Sequence, residues 1–272
     1  MTPNEEWGLI GKVAIVTGGG AQGDGIGNGR AACILLARAG AHVLVVDRDP
    51  GLAERTVAMI ASEGGSAASG SYDVTVSAQC AAMVEDALSR WGRLDCLDNN
   101  VGIGSRGSVV EETEENWARV MHVNVDTMFL ACKHAIPAMV RTAGGGSIVT
   151  ISSISALRPR GLTAYSVSKG AVIALTKAMA VDHGPDGIRV NCVFPGPVYT
   201  PTVYARGMTE QARETRRKAS VLGREGTGWD VGAAVRFLLS EQARYITGKS
   251  SAWMGAPLSL APAARHDTSA AS

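Results

Sequence analysis

Short apolar runs alternate along this chain with longer segments whose apolar residues recur at helical spacing. The runs occupy residues 13–16, 43–46, a weaker stretch ending at Tyr72, 94–97, 148–151, 188–194 and 250–254. Most are continuously apolar, which is typical of strands covered on both faces. Strands separated by helices pair in parallel, because parallel neighbours need a long crossover. The pattern predicts an α/β fold with a doubly wound, parallel sheet of about seven strands.

The segments between the runs predict the rest of the layout. The candidate helices include residues 29–39, 78–91, 114–140, 164–183 and 230–239. No internal repeat and no linker rich in Pro, Gly or Ser divides the chain, so we expect one domain over residues 1–260. The stretch 196–228 breaks the alternation after a predicted strand, where ligands bind in such sheets, and is predicted to form a substrate lid. Residues 261–272 are small and polar and predict a flexible tail.

The charge of the chain is nearly balanced. Lys plus Arg number 26 and Asp plus Glu number 25. Such a balance gives no electrostatic reason to expect nucleic acid or an anionic membrane as a partner. The basic run at 216–218 is interpreted as a solvated helix face. An apolar fraction of 46% is sufficient for a sizeable core.

Cysteine and histidine positions favour an intracellular protein without a bound metal. The five cysteines lack a Cys-x-x-Cys pair, which argues against a disulfide framework or a structural zinc site. His122, His134 and His183 are not spaced as metal ligands. The N-terminus lacks the pattern of a signal peptide, and no apolar stretch reaches the roughly 18 residues that span a bilayer. We expect a soluble, cytoplasmic protein.

A glycine-rich loop follows the first predicted strand and precedes a helix-patterned segment. It reads Thr17-Gly18-Gly19-Gly20-Ala21-Gln22-Gly23-Asp24-Gly25-Ile26-Gly27. Glycines let the backbone approach a pyrophosphate, whose charge then meets the N-terminus of the next helix. The loop predicts a dinucleotide site.

Asp47 ends the second predicted strand, 20 residues after Gly27. This separation is expected for the carboxylate that binds the adenosine ribose hydroxyls. A carboxylate there repels a 2′-phosphate, and Asp24 in the loop adds to the repulsion. We therefore expect NAD rather than NADP. The alternative interpretation of Asp47 is a turn residue at the strand end.

Tyr165 and Lys169 are one helical turn apart at the head of an Ala-rich segment, so their side chains face the same way. A phenol has a pKa of about 10, and a neighbouring ammonium stabilises the phenolate. With a positive nicotinamide ring nearby, the pKa of Tyr165 is expected to fall by about 3 units. Tyr165 is then a general acid/base; the alternative is a surface tyrosine beside a lysine.

In these motifs the chain resembles the short-chain dehydrogenase/reductase family over about residues 11–257. The family's Thr-Gly-x-x-x-Gly-x-Gly is similar to Thr17-Gly18 followed by Gly25-Ile26-Gly27, with three extra residues before the second glycine. Tyr165 and Lys169 match the signature pair. Further matches are Asp73-Val74, Asn99-Asn100-Val101-Gly102, Asn124, Ser152-Ser153, Pro195-Gly196 with Val198 and Thr200, and Tyr245-Ile246-Thr247-Gly248. The Val-Asp-Gly-Gly that normally follows is here Trp253-Met254-Gly255-Ala256, in a region used for subunit contacts.

The resemblance implies a Rossmann-type domain and a set of cofactor-binding residues. Asp73 would cap the adenine ring together with Val74. The stretch that would contact the nicotinamide carboxamide comprises Pro195, Gly196, Val198 and Thr200. The remaining implied cofactor residues are Gly18, Gly25, Ile26, Gly27, Asp47, Arg48, Asn100, Val101, Gly102, Tyr165 and Lys169.

The resemblance also implies catalytic roles for Asn124, Ser153, Tyr165 and Lys169. Lys169 would bind the nicotinamide ribose, Ser153 the substrate oxygen, and Asn124 a water that links Lys169 to solvent. Ser152 stays an alternative, because it lies 13 residues before Tyr165, the commoner spacing in the family. Strand alternation, however, points it away from Ser153.

These observations together predict an NAD-dependent oxidoreductase that interconverts a secondary alcohol and a ketone. One alternative is a reductase of 3-oxoacyl thioesters, against which Asp47 counts because such reductions usually use NADPH. Another is a non-catalytic dinucleotide sensor or scaffold, which could have lost the catalytic residues.

The loops 101–106 and 156–163 and the predicted lid suggest a moderately apolar pocket for a cyclic or aromatic alcohol. Arg106, Arg158 and Arg160 flank it and are interpreted as solvated, with an anionic substrate as the alternative. By the resemblance we expect a homotetramer built through the helices at 114–140 and 164–183.

Overall fold

Seven strands occur in the computed structural model, which describes residues 5–159, 161–205 and 207–253. They are β1 (Val13–Thr17), β2 (His42–Asp47), β3 (Ser66–Ser71), β4 (Cys96–Asn99), β5 (Gly146–Ile151), β6 (Ile188–Pro195) and β7 (Ser250–Trp253). All neighbours pair in parallel, in the order β3-β2-β1-β4-β5-β6-β7. The predicted doubly wound parallel sheet is confirmed.

Helices lie between successive strands along the chain and form the crossover connections that parallel pairing requires. They are α1 (Asn28–Arg38), α2 (Pro50–Ser62), α3 (Ser77–Trp91), α4 (Glu114–Met121), α5 (Thr127–Ala143), α6 (Thr163–His183), α7 (Pro201–Tyr204), α8 (Glu210–Lys218) and α9 (Gly228–Leu239). The predicted helices agree with α1, α3, α6 and α9 to within two residues. α2 is not among the helices named from the sequence; Asp49 caps it by accepting from the N–H groups of Gly51 and Leu52.

The helix predicted over 114–140 is interrupted. Between α4 and α5 the backbone forms a π-helical turn at His122–Asp126, and Asn124 lies in it, fully buried. Such turns are inserted where one residue too many must be accommodated within a helix, frequently at functional sites. The interruption places the Asn124 side chain inside the protein.

The core lies on both faces of the sheet, as the continuous apolar runs require. Along β1, Ala14 and Val16 belong to the cluster beneath α1 and α9, whereas Val13 and Ile15 belong to the cluster beneath α3 and α5. Every residue of β1 is therefore buried, which explains why its sequence does not alternate. The five cysteines are buried free thiols.

The strand order reverses beside β1, which pairs with β2 on one side and β4 on the other. The loops after β1 and β4 therefore leave in opposite directions and open a crevice at the carboxyl edge of the sheet.

Within the described ranges, no helix has the length and hydropathy that crossing a membrane requires. In the same residues, no group of three His, Cys, Asp or Glu side chains is arranged to hold a metal ion. Arg160 and the predicted tail 261–272 lie outside the described residues, as does Met254 at the end of the last predicted strand.

Candidate active site

A cleft of about 580 Å³ opens at the carboxyl ends of β1, β4, β5 and β6. The predicted site residues in its wall are Gly18, Gly27, Asn100, Gly102, Ser153, Tyr165, Lys169, Pro195, Gly196, Val198 and Thr200. The glycine loop and the Tyr-Lys pair, far apart in the sequence, thus share one cleft. The predicted residues outside its wall are Gly25, Ile26, Asp47, Arg48, Asp73, Val74, Val101 and Asn124.

The first turn of α1 packs directly on the glycine loop. A Cβ at Gly29 would overlap the carbonyl oxygen of Gly18, so only glycine allows this approach. The free N–H groups at the start of α1 and their partial positive charge therefore lie at the cleft wall. An anion such as a pyrophosphate fits this arrangement.

The second glycine of the motif contacts the segment predicted as a lid. A Cβ on Gly25 would lie 2.5 Å from both Pro201 Cγ and Tyr204 Oη, which belong to α7. The enlarged loop thus packs against α7, and Gly25 is part of that contact and not of the cleft wall.

Asp47 connects the end of β2 to the glycine loop. Its Oδ2 accepts from the N–H of Gly20 at 3.2 Å, and its Oδ1 accepts from the N–H of Asp49 at 3.1 Å. Asp24 is exposed and forms an ion pair with Arg55, with 3.0 Å between Oδ1 and Nη1. Because Arg55 offsets its charge, Asp24 contributes less to repelling a 2′-phosphate than the sequence suggested. The role of Asp47 in cofactor selection stays a prediction.

The residues predicted to contact the adenine, Asp73 and Val74, do not line the cleft. Asp73 Oδ1 accepts from the N–H and the hydroxyl of Thr75, and these bonds hold the pKa of the Asp73 carboxyl below its usual value. Val74 is buried, whereas Arg48 is exposed. Asp73 therefore shapes the turn after β3, and its contact with a cofactor stays a prediction.

Asn100 in the cleft wall is hydrogen-bonded to the carboxyl group of the buried residue Asp98. Its Nδ2 donates to Oδ2 of Asp98, while Oδ1 of Asp98 has no hydrogen-bond partner among the described residues. Asp98 is fully buried, and burial raises the pKa of its carboxyl well above the usual range. Burial thus favours the neutral form of the Asp98 carboxyl in the folded protein.

Tyr165 and Lys169 lie together near the start of α6. Lys169 Nζ is 5.9 Å from the centroid of the Tyr165 ring and donates to the carbonyl of Ile151 at 2.8 Å. Burial lowers the pKa of Lys169 to about 8. Burial also raises the pKa of Tyr165, and a hydrogen bond with the Ser153 side chain lowers it by less.

The protein's own groups therefore do not lower the Tyr165 pKa by themselves, and the fall expected beside a nicotinamide cation stays a prediction. The physical reason is that both side chains are withdrawn from water, which disfavours phenolate and ammonium alike. The hydrogen bond of the ammonium, moreover, goes to Ile151. A lowered phenol pKa requires a further positive charge at the site.

The two serines after β5 face different surroundings. Ser152 is buried, and its hydroxyl donates to the backbone carbonyl of Lys169 at 2.7 Å. Ser153 is half-buried, accepts from the N–H of Ser155 at 3.1 Å, and is the serine that hydrogen-bonds the Tyr165 side chain. This geometry favours Ser153 over Ser152 as the residue that meets a substrate oxygen.

Asn124 fixes the loop after β4 beside α6. Its Oδ1 accepts from the N–H of Ile103 at 2.7 Å, and its Nδ2 donates to the carbonyl of Ile103 and to Ser168 Oγ, each at 2.9 Å. These contacts occupy the side-chain amide that was expected to bind a water. They give Asn124 a positioning role, and its part in a proton relay stays a prediction.

The segment 196–228 contributes one side of the cleft. The cleft-wall residues from α7, α8 and the residue after α8 are Thr202, Val203, Thr215, Arg216 and Ala219. Arg216 Nη2 donates to the carbonyl of Val198 at 2.8 Å, and Glu225, nearly buried, pairs with both Arg213 and Arg216. The two ends of the segment are therefore bound to each other.

Of the two described arginines expected near the cleft, Arg158 lies in its wall and Arg106 does not.

Sequence reasoning missed two residues that position the site. Ser105 Oγ accepts from the N–H of Tyr165 at 2.9 Å and so anchors the first turn of α6. Arg30 is fully buried under the glycine loop. The sequence signal that could have revealed Arg30 is a cation in the first turn of a helix, followed by the apolar run 31–37 and preceded by a loop with three extra residues.

Comparison with known proteins agrees with this geometry. A family model described as Enoyl-(Acyl carrier protein) reductase matches residues 19–253. The chain is 40% identical over 254 residues to 2-(S)-hydroxypropyl-CoM dehydrogenase 3 of Xanthobacter autotrophicus, covering 90% of this chain and 95% of the relative. It is 39% identical to cyclopentanol dehydrogenase of a Comamonas species, covering 87% and 93%.

Comparison with a solved structure also indicates a dehydrogenase fold. A 7α-hydroxysteroid dehydrogenase in complex with NADH and 7-oxo glycochenodeoxycholic acid superposes with a TM-score of 0.83 at 32% identity, covering 91% of this chain and 94% of the other. With the parallel sheet, the glycine loop and the Tyr-Lys pair in one cleft, these similarities identify the fold and the family together. The chain belongs to the short-chain dehydrogenase/reductase family of oxidoreductases.

Proposed function

We propose that this protein is an NAD-dependent oxidoreductase that interconverts a secondary alcohol and a ketone, with Tyr165 as the general acid/base. The observation that carries the proposal is the contact between the side chains of Tyr165 and Ser153 in a cleft shared with Lys169 and the glycine loop. The dehydrogenases of hydroxypropyl-CoM, cyclopentanol and a hydroxysteroid among the similar proteins support this reaction type.

The residues of the cleft fit a nicotinamide dinucleotide. The start of α1, pressed against Gly18 through Gly29, offers N–H groups to the pyrophosphate. Asp47, at the end of β2, would accept from the adenosine ribose hydroxyls, and its charge disfavours a 2′-phosphate. When bound, the nicotinamide ring accepts a hydride during alcohol oxidation and donates one during ketone reduction.

The chain's own groups handle the proton. In the oxidation direction Tyr165 Oη accepts the hydroxyl proton of the alcohol, and in reduction it returns that proton to the carbonyl oxygen. Ser153 donates a hydrogen bond to the same oxygen and stabilises the charge that develops there. Lys169, a cation up to a pH of about 8, favours the phenolate form of Tyr165.

We propose a moderately apolar, cyclic secondary alcohol as the substrate class. The cleft wall near Tyr165 contains Ile103, Ile154, Leu162 and Val203. Such a wall favours a compact apolar ring by the hydrophobic effect. A 3-oxoacyl-thioester reductase remains the second candidate, since the matching family model carries a reductase description.

A homotetramer is proposed as the assembled form, and the cytoplasm as its location. Large apolar side chains are exposed on the helices expected to pair: Trp117 on α4, Phe129 on α5, and Val167 and Val181 on α6. Exposed apolar residues of this size on neighbouring helices are typical of subunit interfaces. A monomeric mass in sedimentation would contradict the assembly.

The test of the proposed function is titration with NAD⁺ and NADP⁺ separately, followed by a panel of secondary alcohols with the tighter cofactor. We expect tighter binding of NAD⁺, with turnover of cyclic alcohols. Tyr165→Phe keeps the ring and removes the phenol oxygen, so it should lower kcat by about 10²- to 10⁴-fold while NADH binding stays within a few-fold.

Three outcomes would count against parts of the proposal. Tighter binding of NADP⁺ would contradict the role of Asp47. Activity confined to 3-oxoacyl thioesters would favour the reductase. Tight NAD⁺ binding without turnover on a broad panel would favour a dinucleotide sensor.

A further inference from the structure

Arg30, the third residue of α1, is fully buried beneath the glycine loop. Its guanidinium donates to three carbonyl oxygens of the loop: those of Ala21 and Gly23, each at 2.8 Å, and of Gly25 at 2.7 Å. Its Nε donates to Thr56 Oγ1 at 2.9 Å. All four acceptors are neutral.

This placement is costly for a cation. The partial charge at a helix N-terminus is positive and disfavours an arginine in the first turn. Burial adds a desolvation cost and lowers the pKa of Arg30. Among the described residues, no carboxylate forms an ion pair with it; Asp24 and Asp47 act on it from a greater distance. An apolar side chain would avoid this cost but would leave the three loop carbonyls without their donor.

The contacts of Arg30 explain how the three extra residues of the loop are accommodated. The carbonyls that it binds belong to the stretch between the first and second glycines of the motif or to the second glycine itself. Thr56 continues the network by donating to the carbonyl of Gly19 at 2.9 Å. Loop carbonyls bound inward in this way do not face an anion in the cleft. Gly18, Gly20 and Ala21 of the same loop line that cleft.

We propose that Arg30 is a positioning residue for the dinucleotide: it holds the enlarged loop in the shape that receives the pyrophosphate and places behind it a positive charge that no carboxylate contacts directly. The inference rests on the proposed cofactor role of the cleft. It assigns to Arg30 an effect on ligands that carry phosphate, and no direct effect on the chemistry at Tyr165.

The test compares Arg30→Met with Arg38→Met in the full-length enzyme. Arg38 lies on the same helix but is exposed and paired with Glu63, so it controls for loss of a helix arginine. Arg30→Met should raise the KM for NAD⁺ by about 10- to 100-fold, since hydrogen bonds to a charged group are lost. At saturating NAD⁺, kcat and the KM for the alcohol should stay within a few-fold of wild type.

A second readout separates positioning from a general structural role. ADP-ribose and adenosine are each competed against NADH; the inhibition constant of ADP-ribose should rise in Arg30→Met as the KM for NAD⁺ does, and that of adenosine should change little. Arg30→Lys, which keeps the charge but not the fork of donors, should lie between wild type and Arg30→Met.

Thr56→Val keeps the test decisive if Arg30→Met does not fold. It removes the hydroxyl that joins Arg30 to Gly19 and keeps the shape of the side chain. It should raise the KM for NAD⁺ by about 3- to 10-fold at unchanged kcat.

Unchanged NAD⁺ affinity in the folded Arg30 and Thr56 variants would overturn the inference and leave the proposed function intact. An equal loss for adenosine and ADP-ribose, together with a lowered kcat, would also overturn it. If wild type binds neither NAD⁺ nor NADP⁺, the proposed function and the inference fail together.

Discussion

Lys169 Nζ lies 5.9 Å from the centroid of the Tyr165 ring, yet its hydrogen bond is to the carbonyl of Ile151. The ammonium is buried, and burial lowers its pKa to about 8. Lys169 is therefore held beside the phenol at a cost to the stability of the protein. The cost is expected where a buried charge serves chemistry and not folding.

Replacement of Lys169 by methionine should raise the thermal stability while abolishing turnover. Below a pH of about 8 the folded protein must keep a desolvated ammonium, and methionine removes that cost with similar length. The unfolded chain binds the proton up to a pH of about 10.4, so wild-type stability rises between these values. The gain in Tm of Lys169→Met should therefore be a few degrees at pH 7 and shrink towards pH 10, as measured by calorimetry. A lower Tm at pH 7 would show that the bond to Ile151 outweighs the desolvation.

The two neighbouring serines should separate catalysis from stability. Ser153→Ala removes the hydroxyl that contacts Tyr165 and should lower kcat by about 10²- to 10³-fold with little change in Tm. Ser152→Ala removes a buried bond to the Lys169 carbonyl and should lower the free energy of unfolding by about 1 kcal/mol. Kinetics and denaturant unfolding of both variants check this, and the reverse pattern would assign the catalytic role to Ser152.

Alanine at Gly29 should damage the cofactor site, whereas the same change at Gly51 should not. Both glycines are the second residue of their helix. A Cβ at Gly29 would overlap the Gly18 carbonyl, but one at Gly51 would have only an ordinary contact, 3.4 Å from Asp49 Oδ1. Gly29→Ala should raise the Kd for NADH by about 100-fold or more and lower Tm, and Gly51→Ala should leave the Kd unchanged. Equal affinities in fluorescence titrations would mean that the loop is not the pyrophosphate site.

The parallel sheet and the positions of the site residues on its strands and helices could be predicted, because both depend on local sequence pattern. A strand such as Val13–Thr17 is apolar at every position, since both of its faces are covered. The spacing of Tyr165 and Lys169 fixes their relative direction on any helix. The same reasoning placed the glycine loop and Asp47 at neighbouring strand ends.

What could not be predicted depends on contacts between distant residues. The π-helical turn at Asn124 is coupled to hydrogen bonds with Ile103, 21 positions earlier, which no helical periodicity reveals. The burial that raises the Tyr165 pKa could not be predicted either, because the depth of burial is a tertiary property. The role of Arg30 likewise could not be predicted, because the loop carbonyls that it binds approach it only in the folded protein.

Asp98 should make the stability of the wild-type protein fall as the pH rises. The unfolded carboxyl has a pKa of about 3.9, and burial raises the folded value well above that. The folded state therefore binds more protons between the two values, so its stability is full below the lower pKa and is lost as the pH rises through the upper one. Asn at this position still accepts from Asn100 but cannot ionise.

The Tm of Asp98→Asn, relative to wild type, should therefore increase steadily from pH 5 to pH 9. Asp182→Asn makes the same substitution at an exposed position of α6 and should give a curve parallel to that of wild type. Scanning calorimetry at several pH values measures all three proteins. A wild-type curve parallel to that of Asp98→Asn would mean that Asp98 does not change its ionisation on folding, and that the acid beneath Asn100 is charged.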